Sequence, residues 1–176
     1  MPKLASLAVS VGVLAVLATW LFGLHPLADA KLQVWQAFIA WGCYFHSGGK
    51  LTVGGKNTVV CMIFGSVVGM AAVLLAGQLG MLGSLAAPVA VGLGAAVICL
   101  AAALPFLATI PASVYGFASI AGLILLGGTG VTPVGALLPT VLSIIIGAAF
   151  GFVSEALADL LAKKPGGVES VAAGAS

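Results

Sequence analysis

The sequence predicts an all-α polytopic membrane protein with about six transmembrane segments, and three observations predict it. Of the 176 residues, 62% are hydrophobic and 6% are charged, against about 45–50% and about 25% in soluble domains. Residues 57–154, a run of 98, contain no Asp, Glu, Lys, Arg or His. At about 20 apolar residues per crossing, that run has room for four spans, and two further apolar stretches precede it. Only helices or closed barrels satisfy the backbone within hydrocarbon, and runs such as Leu142-Ser143-Ile144-Ile145-Ile146 lack the alternation of barrel strands.

Glycine and proline punctuate the apolar sequence and set the segments in order. Segment one covers 4–24 and ends at His25-Pro26. Segment two, 32–45, is short for a full crossing and is closed by Ser47-Gly48-Gly49-Lys50. Segment three covers 57–75 and stops at Gly77-Gln78-Leu79-Gly80, and segment four covers 85–104, where Pro105 interrupts it. Segment five, 111–126, is bounded by Gly127-Gly128-Thr129-Gly130, and segment six, 134–161, ends before Lys163-Lys164-Pro165-Gly166. Residues 1–164 therefore form a single transmembrane domain, followed by a small polar tail over 165–176 that is expected to be disordered and cytoplasmic. Lys3, the first apolar run and Ala28-Asp29-Ala30 mimic a secretory signal with its cleavage site. The apolar run is longer than the roughly 7–15 residues of a signal, so segment one is expected to be retained.

Orientation follows from six lysines with no arginine. With six crossings, Lys3, Lys50, Lys56, Lys163 and Lys164 share one side and Lys31 stands alone on the other. The positive-inside rule puts the larger group, with both termini, in the cytoplasm. The net charge of +2 is thus a topology signal and gives no reason to expect a nucleic-acid partner.

An internal repeat is suggested. Trp41-Gly42 is echoed by Tyr115-Gly116, and Gly65-x-x-x-Gly69 by Gly147-x-x-x-Gly151. The two echoes align together if the second half carries extra loop residues, which 127–134 supply. Halves of three crossings each would be inverted relative to one another, as in channels and transporters whose solute sites lie at the repeat interface. Abundant glycine in any membrane helix is the competing explanation.

The chemistry available is sparse. Cys43 and His46 stand three apart, but zinc sites ordinarily need about four ligands. His25 is expected on the opposite face, and Cys61 and Cys99 lie in mid-segment, where cysteine acts as a small apolar residue. No metal, cofactor or disulfide is expected. No Ser, His and acidic residue can meet in one plane of the membrane, so no enzyme is expected either. Glu155 and Asp159, near Lys163-Lys164, read as a solvated helix end. Ion-coupled carriers keep ionisable groups inside the membrane, and their scarcity here argues against a proton-driven pump.

A passive route for a neutral solute asks only for aromatic walls, a few hydroxyls and carbonyls freed where helices break. Segment two carries Trp35, Gln36, Trp41, Tyr44, Phe45 and His46, while Pro105 to Pro111 interrupts the approach to Ser113, Tyr115 and Ser119. The pore or solute-path candidates are Trp41, Tyr44, Thr109, Ser113, Tyr115 and Ser119. Against this stands the reading of Trp35 and Tyr44 as interfacial belt residues and of 105–111 as a loop. Gly65, Gly69, Gly147 and Gly151 are the candidates for close helix packing, within one chain or in an expected homo-oligomer.

The order of Trp35-x-x-Phe38, Gly42-Cys43-x-Phe45, Gly48-Gly49-Lys50 and Ile110-Pro111-Ala112-x-x-x-Gly116 resembles the YcdZ-like bacterial inner-membrane proteins, a family catalogued as a domain of unknown function. The resemblance covers about 4–161. It implies a bacterial plasma-membrane location and brings no catalytic residues. Leu104-Pro105 with Thr109 and Pro111 faintly resembles the Leu-Pro-x-x-Thr-x-Pro signature of urea transporters, with the threonine one residue late. Together these readings favour a channel-like or permease-like protein in the lipid bilayer that passes a small neutral solute. The alternative is a non-transporting accessory or scaffold subunit of a membrane complex.

Overall fold

A computed structural model describes residues 2–126 and 130–162. The chain is an all-α polytopic membrane protein: four helical stretches, Lys3–Phe22, Lys50–Gln78, Gly80–Ala101 and Leu137–Leu161, are long and apolar enough to cross a bilayer, and Ile110–Leu126 is a shorter apolar helix. The helices are α1 (Lys3–Phe22), α2 (His25–Asp29), α3 (Val34–His46), α4 (Lys56–Gln78), α5 (Ala86–Ala101), α6 (Ile110–Leu126) and α7 (Leu137–Leu161). A π-helical turn (Lys50–Gly55) leads into α4, and 3-10 turns lie at Gly80–Leu85 and Pro105–Leu107.

The helix positions follow the expected segments closely. The short α2, the π-turn and the 3-10 turns fall where glycine and proline had indicated breaks. Gly127, Gly128 and Thr129 of one such break lie outside the described residues, as do Lys163, Lys164 and the tail over 165–176. The 13 residues of α3 extend about 20 Å at 1.5 Å per residue, short of the roughly 30 Å hydrocarbon core.

Packing divides the helices into an inner and an outer set. Peripheral α1 buries Ser6, Ser10, Leu14, Ala18 and Phe22, one residue every fourth position. Peripheral α5 does the same with Ala86, Ala90, Gly94 and Ile98. Such a stripe faces one neighbour and leaves the rest of the helix to lipid. For α1 that neighbour is α7, for α5 it is α4. Inside them, α3 lies along α7 and α6 lies along α4, and the two pairs meet where α4 touches α7 and α3 touches α6.

Directions follow from the paired residues. Lys3 meets Asp159 at 3.5 Å and the Ser10 hydroxyl donates to the Ser154 carbonyl at 2.9 Å, so α1 and α7 run antiparallel. Gln36 bonds Thr140 and Tyr44 bonds Glu155, so α3 and α7 run parallel. Cys61 reaches Phe106, while farther along α4 Ser66 reaches Gly116 and Gly69 reaches Ile120, making α4 and α6 parallel too.

Glycine permits both parallel contacts. A Cβ on Gly65 would run into the Ser113 backbone, one on Gly116 into the Met62 backbone, and one on Gly147 into the Ala37 backbone. At Gly69 it would come within 2.8 Å of Ile120, and at Gly151 within 2.6 Å of the Tyr44 side chain. Lipid is as apolar as these side chains, so close backbone approach supplies dispersion contacts that a hydrophobic drive cannot. Gly92, in contrast, has nothing within 4 Å of an added Cβ.

Replacing Gly147 by Ile is expected to lower stability by about 1–3 kcal/mol or more, as overpacking a tight site does. Gly92→Ala is expected to leave stability unchanged or slightly raised, since alanine is the better helix former. Thermal unfolding in detergent reads both, and equal midpoints for Gly147→Ile and the parent would mean that α3 and α7 are not tightly apposed there.

Candidate functional site

Among the described residues, buried polarity is almost wholly neutral. Ser6, Ser10, Gln36, Thr58, Ser66, Ser113, Ser119, Thr140, Ser143 and Ser154 are buried, and none of them ionises. Most are tied to backbone or to one another. The Trp41 indole donates to the Ser154 hydroxyl at 3.0 Å, which in turn donates to the Gly151 carbonyl at 2.8 Å. The Gln33 backbone N–H, at the start of α3, donates to the Ser143 hydroxyl at 3.1 Å.

Two constellations stand out. The first lies among α3, α6 and α7, where the Gln36 amide nitrogen donates to the Ser119 carbonyl at 2.9 Å and to the Thr140 hydroxyl at 3.1 Å. The second lies at the far end of α3. There one Glu155 carboxylate oxygen accepts from the Tyr44 hydroxyl at 2.6 Å and from the Lys50 backbone N–H at 2.8 Å. The Gly48-Gly49-Lys50 turn has φ of 101°, 64° and 56°, a left-handed run that glycine adopts without cost and lysine does not. The carboxylate holds this turn against α7. Glu155 is therefore half-buried and bonded, where the sequence had suggested a solvated end, while the exposed Lys3–Asp159 pair fits that description.

The solute-path candidates are dispersed over these features. Trp41 is buried with Leu14 and Ala18 of α1 and stacks on Phe150 of α7, ring centroids 5.4 Å apart. Tyr115 instead lies edge-on to His46 at 6.0 Å, in an open apolar groove of about 570 Å³ whose walls include Phe38, Gly42, His46 and Ala118. Trp41 and Tyr115 thus face different neighbours. Tyr44 belongs to the Glu155 latch. Thr109 is half-buried, and its carbonyl accepts from the Ala112 and Ser113 N–H groups at the start of α6. Ser113 is buried with its backbone against Gly65, and Ser119 joins Gln36. Between the constellations the middle is filled by Ala40, Cys43, Cys61, Met62, Ala112 and Ile144.

The packing glycines Gly65, Gly69, Gly147 and Gly151 all lie between helices of the one chain. Among the described residues, no three His, Cys, Asp or Glu side chains gather as metal ligands would. Cys43, Cys61 and Cys99 are free thiols.

A protein-family profile described as a protein of unknown function, DUF1097, matches residues 8–159. The chain belongs to the DUF1097 family. The matched span runs from α1 into the last turns of α7 and so includes both constellations. No curated protein matches the chain, and no solved structure does. Sequence reading passed over Gln36, Thr140 and Glu155 as site residues. An amide inside an apolar segment and an acid within the reach of segment six were the available signals, because polar groups at membrane depth are costly to bury.

The latch has a measurable worth. Hydrogen bonds to a charged group contribute about 1.5–3 kcal/mol, so Glu155→Ala, which strips partners from Tyr44 and Lys50, is expected to lower the unfolding midpoint clearly. Glu155→Gln retains an acceptor and should fall between. Identical midpoints for Glu155→Ala and the parent would show that the turn is held by something else.

Proposed function

We propose that this DUF1097 protein is a permease-like carrier of a small uncharged solute, built from two inverted three-helix halves that together cross the membrane six times. The observation that carries the reading is an exchange symmetry in the packing. Swapping α1 with α5, α3 with α6 and α4 with α7 reproduces the contact map: α1 on α7 becomes α5 on α4, and α3 along α7 becomes α6 along α4. Matching residues occupy the two close approaches between the halves, Gly147 of α7 against Ala37 of α3 and Gly65 of α4 against Ser113 of α6.

If Ala37 corresponds to Ser113, then Trp41, four residues on, corresponds to Phe117 and not to Tyr115. Trp41 abuts Leu14 and Ala18 of α1, and Phe117 abuts Gly94 of α5, as the exchange requires. The short helices α3 and α6 hold the same place in the two halves. Discontinuous or short segments in matching positions are where secondary transporters put their solute sites. The filled middle then corresponds to an occluded arrangement, with access opened by rocking one half against the other.

The neutrality of the buried polar groups supports an uncharged cargo and a role other than enzyme. We place both termini in the cytoplasm on the lysine distribution and, by the YcdZ-like resemblance, the protein in a bacterial inner membrane. A second reading is favoured by one observation: the groove at Gly42 and Ala118 is apolar and open to the outside of the helix bundle, as a docking face for a second copy or a larger membrane complex would be.

Topology is checked first. In a variant lacking Cys43, Cys61 and Cys99, single cysteines at Lys3 and Lys56 should resist an impermeant thiol reagent outside intact cells, and one at Asp29 should react. Labelling at Lys3 or Lys56 would overturn the orientation. Function is checked by shrink and swell rates of proteoliposomes with urea, glycerol and ammonia. The parent is expected to exceed empty vesicles for at least one solute without any pH gradient. Rates equal to empty vesicles for all three, with the protein folded, would leave the docking reading as the better account.

A further inference from the structure

Gln36 is fully buried, and its environment leaves part of its chemistry unused. Its amide nitrogen spends both hydrogens, on the Ser119 carbonyl and the Thr140 hydroxyl. A backbone carbonyl can only accept, so the amide cannot be turned over without setting oxygen against oxygen. Gln36 Oε1 therefore keeps its position, and it has no hydrogen-bond partner. Ser119 Oγ is equally buried and equally unpartnered. The two orphan atoms belong to the two residues joined by one hydrogen bond, from the Gln36 amide nitrogen to the Ser119 carbonyl.

An orphaned buried acceptor or hydroxyl loses its hydration without compensation, and no bulk water is at hand within hydrocarbon. Side chains of this kind are expected to serve something. The local charge says what. Glu155 is bonded to Tyr44, two turns along α3 from Gln36 and so about 12 Å away, and no other acidic residue lies within the described span of α3, α6 or α7 except Asp159, farther still along α7. A cation beside Gln36 would be desolvated without a countercharge, at high cost. An ether or ketone would offer Gln36 Oε1 no donor.

We propose that Gln36 Oε1 and Ser119 Oγ are the binding contacts for a compact neutral molecule that carries both an N–H or O–H donor and a lone-pair acceptor. Its donor engages Gln36 Oε1, and the Ser119 hydroxyl donates to its acceptor. The Thr140 hydroxyl and the Ser119 carbonyl hold the amide in register and are positioning groups. Small amides of the urea class meet these requirements on both sides. The site rests on the carrier reading above for its role, but its occupancy can be measured without transport.

The chain has three glutamines, Gln33, Gln36 and Gln78, so glutamine-selective labelling of the side-chain amide nitrogen in lipid nanodiscs gives three resonance pairs, assigned with Gln33→Glu and Gln78→Glu. Urea is titrated over the millimolar range, with acetone as a planar molecule of like size that lacks N–H donors. The expected result is a saturable shift of the Gln36 pair with urea, none with acetone, and a midpoint raised at least tenfold in Ser119→Ala. Exposed Gln78 serves as the internal control. A Gln36 signal that merely drifts with Gln78, or that answers acetone as it answers urea, overturns the proposal. The parent titration needs no variant to fold. Flux in liposomes with a silent Gln36 would remove the site and leave the carrier reading standing, whereas a saturable Gln36 response without flux would keep the site and remove the carrier.

Discussion

Everything in this fold depends on bringing helix backbones together in a solvent that gives them no hydrophobic reason to associate. Gly65, Gly116 and Gly147 meet neighbouring backbones where any side chain would collide, and the two parallel pairs, α3 with α7 and α4 with α6, are built on those meetings. Once they are fixed, the hydroxyls of Ser10 and Ser66 fall within reach of carbonyls on the facing helix. Such bonds are individually modest in membranes. Their effect here is to set register along helices whose apolar faces could otherwise slide.

The same close packing explains why α3 is both short and strongly held. A helix of 13 residues cannot reach both sides of a bilayer by its own length, so its ends must be finished by other elements. At its start, Ser143 of α7 takes the Gln33 N–H. At its finish, the left-handed glycine turn doubles the chain back into the π-turn and α4, and Glu155 ties that turn to α7 through Tyr44 and Lys50. The helix α7 thus acts as a splint along the whole of α3, and its broad buried face, from Pro139 to Ala158, reflects contacts with α1, α3 and α4 together.

The polar groups divide by role. Those at Ser10, Ser66, Ser143 and Ser154 are satisfied within the packing and belong to the scaffold. Gln36 and Ser119 are not fully satisfied, and they sit where α3 of one proposed half meets α6 of the other. An apolar plug of Ala40, Cys43, Met62 and Ile144 separates this junction from the Glu155 latch. Under the carrier reading these are successive stations of one path: a recognition point, a closed middle and the Glu155 latch.

The sequence by itself determined the class of the protein and the places where its helices begin and end. A run of 98 residues without Asp, Glu, Lys, Arg or His admits no soluble fold, and glycine and proline interrupt helices for reasons local to the backbone. The Gly-x-x-x-Gly spacings likewise marked helix faces suited to close approach. What only the tertiary structure decided was who faces whom. Trp41 and Tyr115 share a glycine neighbour in sequence, yet one turns toward α1 and the other toward His46, because the rotation of α3 and α6 about their axes is set by the helices they lie along. Gln36 was one polar residue among several in segment two until Ser119 and Thr140, remote in sequence, enclosed it. Glu155 looked solvated because its partners, Tyr44 and the Lys50 N–H, come from more than a hundred residues away, and no local pattern encodes so distant a hydrogen bond.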